Sequence, residues 1–279
     1  MSKLLVLVLL GVLAVAGSAS SATPPQRIVS LSPTATETLF AIGAGKQVVA
    51  VDDQSDYPAG APRTKLSGFT PNVEAIAGYK PDLVVVAYDP NGLSSTLRGL
   101  GIRVLVQDAA KTLAQAYAQI VQLGAVSGHA APARALVTRM KAQIRRLVAA
   151  GAPRARGLSV YHELEPDLYS ATSKTFIGQI YSLFGLKNIA DAADKDGTGY
   201  PKLSAEYVVS ASPDIVVLAD IRCCGQTSRT VAARAGWKNV AAVKTGTIVR
   251  IDDSIASRWG PRIVNFVRAV AAALAHLRR

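Results

Sequence analysis

The side chains that could do chemistry in this sequence are few and widely spaced. Its histidines are His129, His162 and His276. A zinc or manganese site needs several imidazoles and carboxylates aimed at one point. His129 stands at the start of one predicted helix and His276 in the last turn of another, so the set does not converge and no metal ligand is assigned. One imidazole suffices as an axial ligand to haem iron, and His162 is the candidate; with Glu163 and Glu165 it could equally form a polar lip. There is no Gly-x-Ser-x-Gly elbow, no Gly-x-x-x-x-Gly-Lys phosphate loop and no histidine placed beside a nucleophile. The run Ala-Ile-Gly-Ala-Gly at 41–45 ends a helix instead of opening one. The pattern points to binding rather than catalysis, and no catalytic residue is assigned.

Two other features are chemically pointed. Cys223 and Cys224 are adjacent. An oxidising compartment favours a disulfide, yet neighbouring Cα atoms are closer across a trans peptide than most bridges place them; bridge and free thiols both stay open. Glu74 and Glu206 lie at matching places in an internal repeat, residues 73–86 against 205–218, each followed at the same spacing by Pro-Asp and a β-type run. Asn72 and Ser204 are N-cap types, which sets both glutamates at the second helical position, where the helix dipole favours a carboxylate. That dipole role alone would explain them. The alternative is a pair of equivalent surface carboxylates, one per half, facing a two-fold symmetric partner.

The elements that must position these groups follow from the apolar pattern. Residues 27–31, 48–51, 83–87 and 103–106 read as strands, separated by helices over 32–42, 73–78 and 94–100. Near-continuous Val, Leu and Ile in the strands predict a parallel sheet covered on both faces. After a helix over 113–123, apolar residues at 133, 136, 137, 140, 144, 147 and 148 predict one long helix, closed by Gly151 and Pro153. Alternation then resumes with strands at 157–160, 215–218 and 247–250 and helices at 176–184, 204–210 and 261–276. The repeat recurs at a 132-residue offset, too long for a solenoid unit and suited to a duplicated lobe. The fold class is therefore α/β: two three-layer lobes with mainly parallel sheets joined by a single long backbone helix. The division is an N-terminal lobe over 26–128, a linker helix over 129–151 and a C-terminal lobe over 155–279. Two similar lobes imply a ligand cleft between them.

Ahead of the first lobe, Lys3, an apolar stretch at 4–16 and small residues at 17–22 form a signal peptide over 1–22, too short to span a bilayer. No cysteine follows that would carry a lipid, so a soluble periplasmic or secreted monomer without a direct membrane anchor is expected. The net charge of +12 could signal nucleic acid. The basic residues are scattered, except for Arg139, Lys141, Arg145 and Arg146 on the linker helix, and no aromatic-interleaved stripe accompanies them. Nucleic acid is not an expected partner.

The segments 27–45, Ser55-Asp56-Tyr57-Pro58, Gly68-Phe69-Thr70-Pro71-Asn72-Val73-Glu74, Lys174-Thr175-Phe176-Ile177, Pro201-Lys202-Leu203-Ser204-Ala205-Glu206 and Gly260-Pro261-Arg262-Ile263 together resemble the vitamin B12 and iron-chelate periplasmic-binding family, in order and over nearly the whole chain. The resemblance implies a rigid helical backbone between two lobes. It also implies delivery of cobalamin or a related corrinoid, or alternatively a ferric siderophore or haem, to the permease dimer of an ATP-binding-cassette (ABC) importer. Glu74 and Glu206 match the family's permease-docking glutamates. By motif neighbourhood the ligand-binding candidates are Phe69, Tyr88, Tyr169 and Tyr200, whose aromatic faces suit a flat macrocycle; each could instead be core rim. Arg258 matches a cleft arginine of the family and could equally be a solvated loop residue, while Trp259 beside it could be packing. No cofactor other than the transported ligand is expected.

Overall fold

The computed structural model describes residues 23–277; the signal peptide expected over 1–22 lies outside the described residues. Strands β1 (Ile28–Leu31), β2 (Val48–Val51), β3 (Leu83–Val86) and β4 (Arg103–Val106) form an all-parallel sheet in the order β2-β1-β3-β4. Helices α1 (Pro33–Ala41), α2 (Val73–Gly78), α3 (Leu93–Gly99) and α4 (Leu113–Val126) connect and flank them. The central strands β1 and β3 are fully buried along their length, as a sheet covered on both faces requires.

Helix α5 (Ala130–Ala155) then leads to a second parallel sheet, β5 (Ser159–Glu163), β6 (Lys187–Asn188), β7 (Ile215–Leu218) and β8 (Ile248–Arg250), ordered β6-β5-β7-β8. Its helices are α6 (Phe176–Phe184), α7 (Ala205–Ala211), α8 (Ser228–Ala232), α9 (Ala241–Thr245), α10 (Asp253–Ser257) and α11 (Ile263–His276). The strand orders are the same when the lobes are superposed in sequence. Ile28 faces Leu83 in the first sheet and Val160 faces Ile215 in the second, so the 132-residue offset extends from the helix–strand motif to the central strand pair.

Strand β6 and the short helices α8, α9 and α10 have no counterpart in the pattern reading, helix α4 runs three residues past its predicted end and α11 starts two residues late, and two further limits shift for a visible reason. The strand predicted at 157–160 lies at Ser159–Glu163, because Gly157 turns the chain with φ 80° before the strand begins. The linker helix, predicted to close at Gly151 and Pro153, continues to Ala155. Pro153 removes one ladder bond without ending the helix, and Ala155 in its last turn is completely buried.

Helix α5 is not a free rod between lobes. Ala133, Val137, Met140 and Ile144 belong to the same apolar cluster as Leu39, Ile120 and Leu123 of the first lobe and Ile180, Phe184, Phe266 and Leu274 of the second. A Cβ on Gly151 would come within 2.8 Å of the Phe184 ring, so glycine is what lets α5 approach α6. Separate clusters fill the other face of each sheet, Val29, Val84, Ile76 and Leu97 in the first lobe and Tyr161, Val216, Val208 and Trp237 in the second.

Candidate functional site

In parallel α/β sheets the ligand crevice lies beyond the carboxyl ends of the strands. A cavity of about 310 Å³ sits there, lined from the first lobe by the segment after β1 (Leu31, Ser32, Pro33, Thr34), by Asp52, Gln54, Gly68, Phe69, Ala87 and Tyr88, and from the second by Ser257, Arg258 and Trp259. It is the meeting place of the two lobes. Ser32 caps α1 by accepting from the Ala35 N–H, which fixes the turn at the cavity floor. Gly68 brings the Phe69 loop close: a Cβ there would stand 2.7 Å from an Asp52 carboxylate oxygen and 3.0 Å from the Leu31 carbonyl. Asp52 is buried, and its pKa is raised because burial disfavours the charge.

The aromatic candidates divide. Phe69 is 70% exposed, and Tyr88 donates its phenol to the Phe69 carbonyl at 2.6 Å with ring centroids 6.5 Å apart. These two form one apolar wall. Tyr169 and Tyr200 are also exposed, but they stand on loops of the second lobe and do not line this cavity. Lys202 lies 5.4 Å over the Tyr169 ring, and Tyr169 bridges to Lys202 in backbone pairing. Burial raises the Tyr200 phenol pKa.

Arg258 lines the cavity, and its guanidinium is already engaged across the lobes. Nη1 donates to Glu37 Oε1 at 2.9 Å and Asp56 Oδ1 at 2.8 Å, and Nη2 to the Gln54 carbonyl at 2.8 Å. Arg262 grips the same Glu37 through Nε at 2.9 Å and Nη2 at 2.5 Å, while Arg222 reaches Asp56 at 3.4 Å and Asp252 at 3.1 Å. Burial pushes the Asp56 pKa up, but the Arg258 hydrogen bond and the charges of Arg258 and Arg222 outweigh it, and the net direction is down. Trp259 Nε1 donates to Gln119 at 2.7 Å, a further tie from the second lobe to the first. Reading Arg258 from the sequence identified a cleft residue; Glu37 and Asp56, its partners more than 200 positions away, carry no local signal that could have found them.

The His162 reading is corrected. His162 is completely buried inside β5, its Nδ1 lies 2.5 Å from the Tyr181 hydroxyl, and the Tyr181 and Phe266 rings pack on it. Burial lowers its pKa to about 3, so it is a neutral core residue that meets no ligand. Glu163 is no polar lip either: fully buried, it receives Arg234 in a two-pronged pair at 2.6 and 2.7 Å. Next to it Asp220 is also fully buried, with its pKa raised to about 7 by burial first and the Glu163 charge second. Arg234 stacks 4.7 Å over Trp237, which is itself buried. Glu165 alone of the original trio is exposed.

The cysteines form a vicinal disulfide with Cα atoms 3.8 Å apart. The bridge lies in the exposed turn after β7, where the N–H groups of Arg222 and Cys223 donate to the Asp253 carboxylate at 3.1 and 2.8 Å. Among the described residues no group of three or more histidine, cysteine or acidic side chains could hold a metal ion. No helix among them is long and apolar enough to cross a membrane.

Glu74 and Glu206 are exposed, each in the first turn of its helix behind the caps Asn72 and Ser204. The Glu206 pKa is lowered by its own backbone N–H and by Ser204.

Two parallel-sheet lobes around a shared crevice, held by one long helix, define a solute-binding receptor of the helical-backbone class. The chain belongs to the periplasmic binding protein family, whose model matches residues 28–255; this is a family of substrate-binding proteins of ABC transporters, not of enzymes. It is 34% identical over 262 residues to the cobalamin-binding protein of Halobacterium salinarum, covering 89% of this chain and 69% of that one. It is 30% identical over 259 residues to the uncharacterized ABC transporter substrate-binding lipoprotein YvrC of Bacillus subtilis, covering 90% and 80%. The crystal structure of the periplasmic vitamin B12-binding protein BtuF of Vibrio cholerae superposes with a TM-score of 0.72 at 25% identity, over 90% of this chain and 97% of that one.

Proposed function

We propose that the protein is an exported receptor that carries cobalamin or a related corrinoid between its lobes and hands it to the permease dimer of an ABC importer. The observation that carries the ligand reading is the apolar wall of Phe69 and Tyr88 beside a cavity shared by both lobes. A wide aromatic face binds a large planar ligand with little rotamer entropy to lose. The named cobalamin and B12 relatives support the same cargo. Titration with cobalamin, haem and several ferric siderophores, followed in the visible spectrum, tests it. Stoichiometric cobalamin binding is expected; saturation by haem with no response to cobalamin overturns it. The second reading, a haem or ferric-siderophore cargo, draws on the exposed phenols of Tyr169 and Tyr200, a donor type that ferric iron accepts.

Glu74 and Glu206 are the proposed docking carboxylates, one per lobe at equivalent places. Glu74→Lys and Glu206→Lys are expected to abolish uptake in a reconstituted importer while leaving ligand affinity within twofold or so, since neither side chain lines the cavity and each is exposed. Lobe closure is expected to be small. The apolar cluster is continuous through α5, and Glu37 already ties Arg258 and Arg262 across the gap. A large compaction on ligand addition in small-angle scattering would count against this.

A further inference from the structure

Between Asp108 and Glu163 the sequence holds no aspartate or glutamate, yet it contains Lys111, Arg134, Arg139, Lys141, Arg145, Arg146, Arg154 and Arg156. All of the chain's 19 acidic residues lie elsewhere. Six of these eight cations are on helix α5, and every one of the six is exposed. At 3.6 residues per turn, Arg134, Lys141 and Arg145 stack in one row and Arg139 and Arg146 in a second. The second row lies nearly opposite the buried stripe of Ala133, Val137, Met140, Ile144, Gly151 and Ala155, and the first lies to one side of that stripe, about 130° round the helix from the second.

Among the described residues none of the six has a carboxylate within 4.0 Å. Lys141 instead sits 5.0 Å over the Tyr117 ring. A solvated helix gains from opposite charges four residues apart and is opposed by like ones; here Lys141 and Arg145 are a like pair at that spacing. Solubility alone does not call for that arrangement. The helix is about 39 Å long at 1.5 Å per residue, straight enough to pack along both lobes, and it contributes nothing to the lining of the cleft. Its outward positions carry no exposed large apolar side chain, so the face is built to adsorb and not to insert.

We propose that this face docks flat on anionic phospholipid headgroups, holding the receptor at a membrane surface with its cleft open. A planar array of phosphates matches two parallel rows of cations without carboxylate partners, and each cation near such a surface strengthens partitioning by about fivefold. A nucleic acid would ask for a groove-fitting or stacking element, which this rod of alanine, glutamine and arginine lacks.

The test is co-sedimentation of the purified protein with vesicles of phosphatidylcholine alone or mixed with phosphatidylglycerol, at low and high salt. Binding that needs phosphatidylglycerol and is lost at high salt is expected. The variant R139Q/K141Q/R145Q/R146Q is expected to bind at least roughly tenfold more weakly. K65Q/K187Q/K195Q/K238Q, which removes the same charge from exposed sites off the helix, is expected to bind like the parent. No dependence on phosphatidylglycerol, or equal loss in both variants, overturns the proposal. So does equally strong retention on duplex DNA that is lost in the helix variant, which would assign the face to polyanions at large. Amine footprinting of the unmodified protein on vesicles needs no variant: Lys141 must be shielded while Lys65 and Lys187 stay reactive, and uniform reactivity also overturns it.

Discussion

The two lobes share strand order, direction and a 132-residue register, yet their central strand ends are built from opposite chemistry. Leu31 closes β1 where Glu163 closes β5, and Tyr88 follows β3 at the distance at which Asp220 follows β7. In the first lobe these places form an apolar floor and an aromatic wall, with Tyr88 partly exposed. In the second both carboxylates are fully buried, and Arg234 is drawn in beside them. A duplicated backbone therefore preserved where the side chains stand and not what they do. One lobe leaves its strand ends facing the cavity, and the other closes them into a polar core.

The largest expected effect breaks the second lobe's side of this comparison. Arg234→Ala leaves Glu163 charged and buried without its partner, and removing one member of such a pair costs about 3–5 kcal/mol. Urea denaturation measures it. Replacing both members, Glu163→Leu with Arg234→Met, transplants the chemistry of Leu31 and should cost far less than Arg234→Ala alone. If the double replacement is as damaging as the single one, the two strand ends are not interchangeable and the comparison fails.

Asp220→Asn is expected to act next, with a sign set by pH. The folded pKa of Asp220, raised to about 7, lies above the unfolded value of 3.8, so the native state holds a proton that the unfolded chain has released. Stability contributed by that proton is full below the unfolded pKa and is lost as pH rises through 7. Asn keeps the neutral form at every pH. The variant should therefore gain roughly 1–3 kcal/mol on the parent at pH 8 and little at pH 4, read as a melting-temperature difference that widens with pH. His162 tilts the parent the other way: its folded pKa, lowered to about 3, lies below the unfolded one, so its contribution is present above the unfolded pKa and is lost as pH falls. The comparison of parent with variant isolates Asp220, since both keep His162.

Seven of the eight described strands and the long helix were legible because each is a local apolar period: β2, β3 and β4 and helices α2 and α6 begin and end within a residue of their predicted limits; the two-residue β6, Lys187–Asn188, shows no such run. The short α8, α9 and α10 were not, since five-residue helices show no period and are held by loops around Trp237 and Asp252. Phe69, which lines the cavity, lies in a motif that keeps its residues contiguous and so could be placed from the sequence. The misreading of His162 has a physical origin. The segment His-Glu-Leu-Glu at 162–165 looks like an exposed lip in one dimension, and Arg234 and Tyr181, distant in sequence, are the partners that let Glu163 and His162 be buried. Charge partners across the fold are the part a single sequence does not reveal, as Glu37 with Arg258 and Arg262 also shows.

The smallest expected effects sharpen the first lobe's side. Phe69 is mostly exposed, so Phe69→Ala should change folding stability by less than about 0.5 kcal/mol. The same substitution should weaken cobalamin binding by about 1–2 kcal/mol, roughly tenfold, because an aromatic face against a planar ligand is lost. Tyr88→Phe keeps the ring but removes the phenol that holds the Phe69 carbonyl, and should cost less in affinity than Phe69→Ala. Tyr200→Ala, on the second lobe and away from the cavity wall, tests whether that lobe contributes a face of its own. If Tyr200→Ala weakens binding as much as Phe69→Ala, the ligand is held between rings from both lobes. A much smaller effect would mean that the first lobe's wall binds nearly alone, and that the difference between the strand ends sets which half of the receptor makes first contact with its cargo.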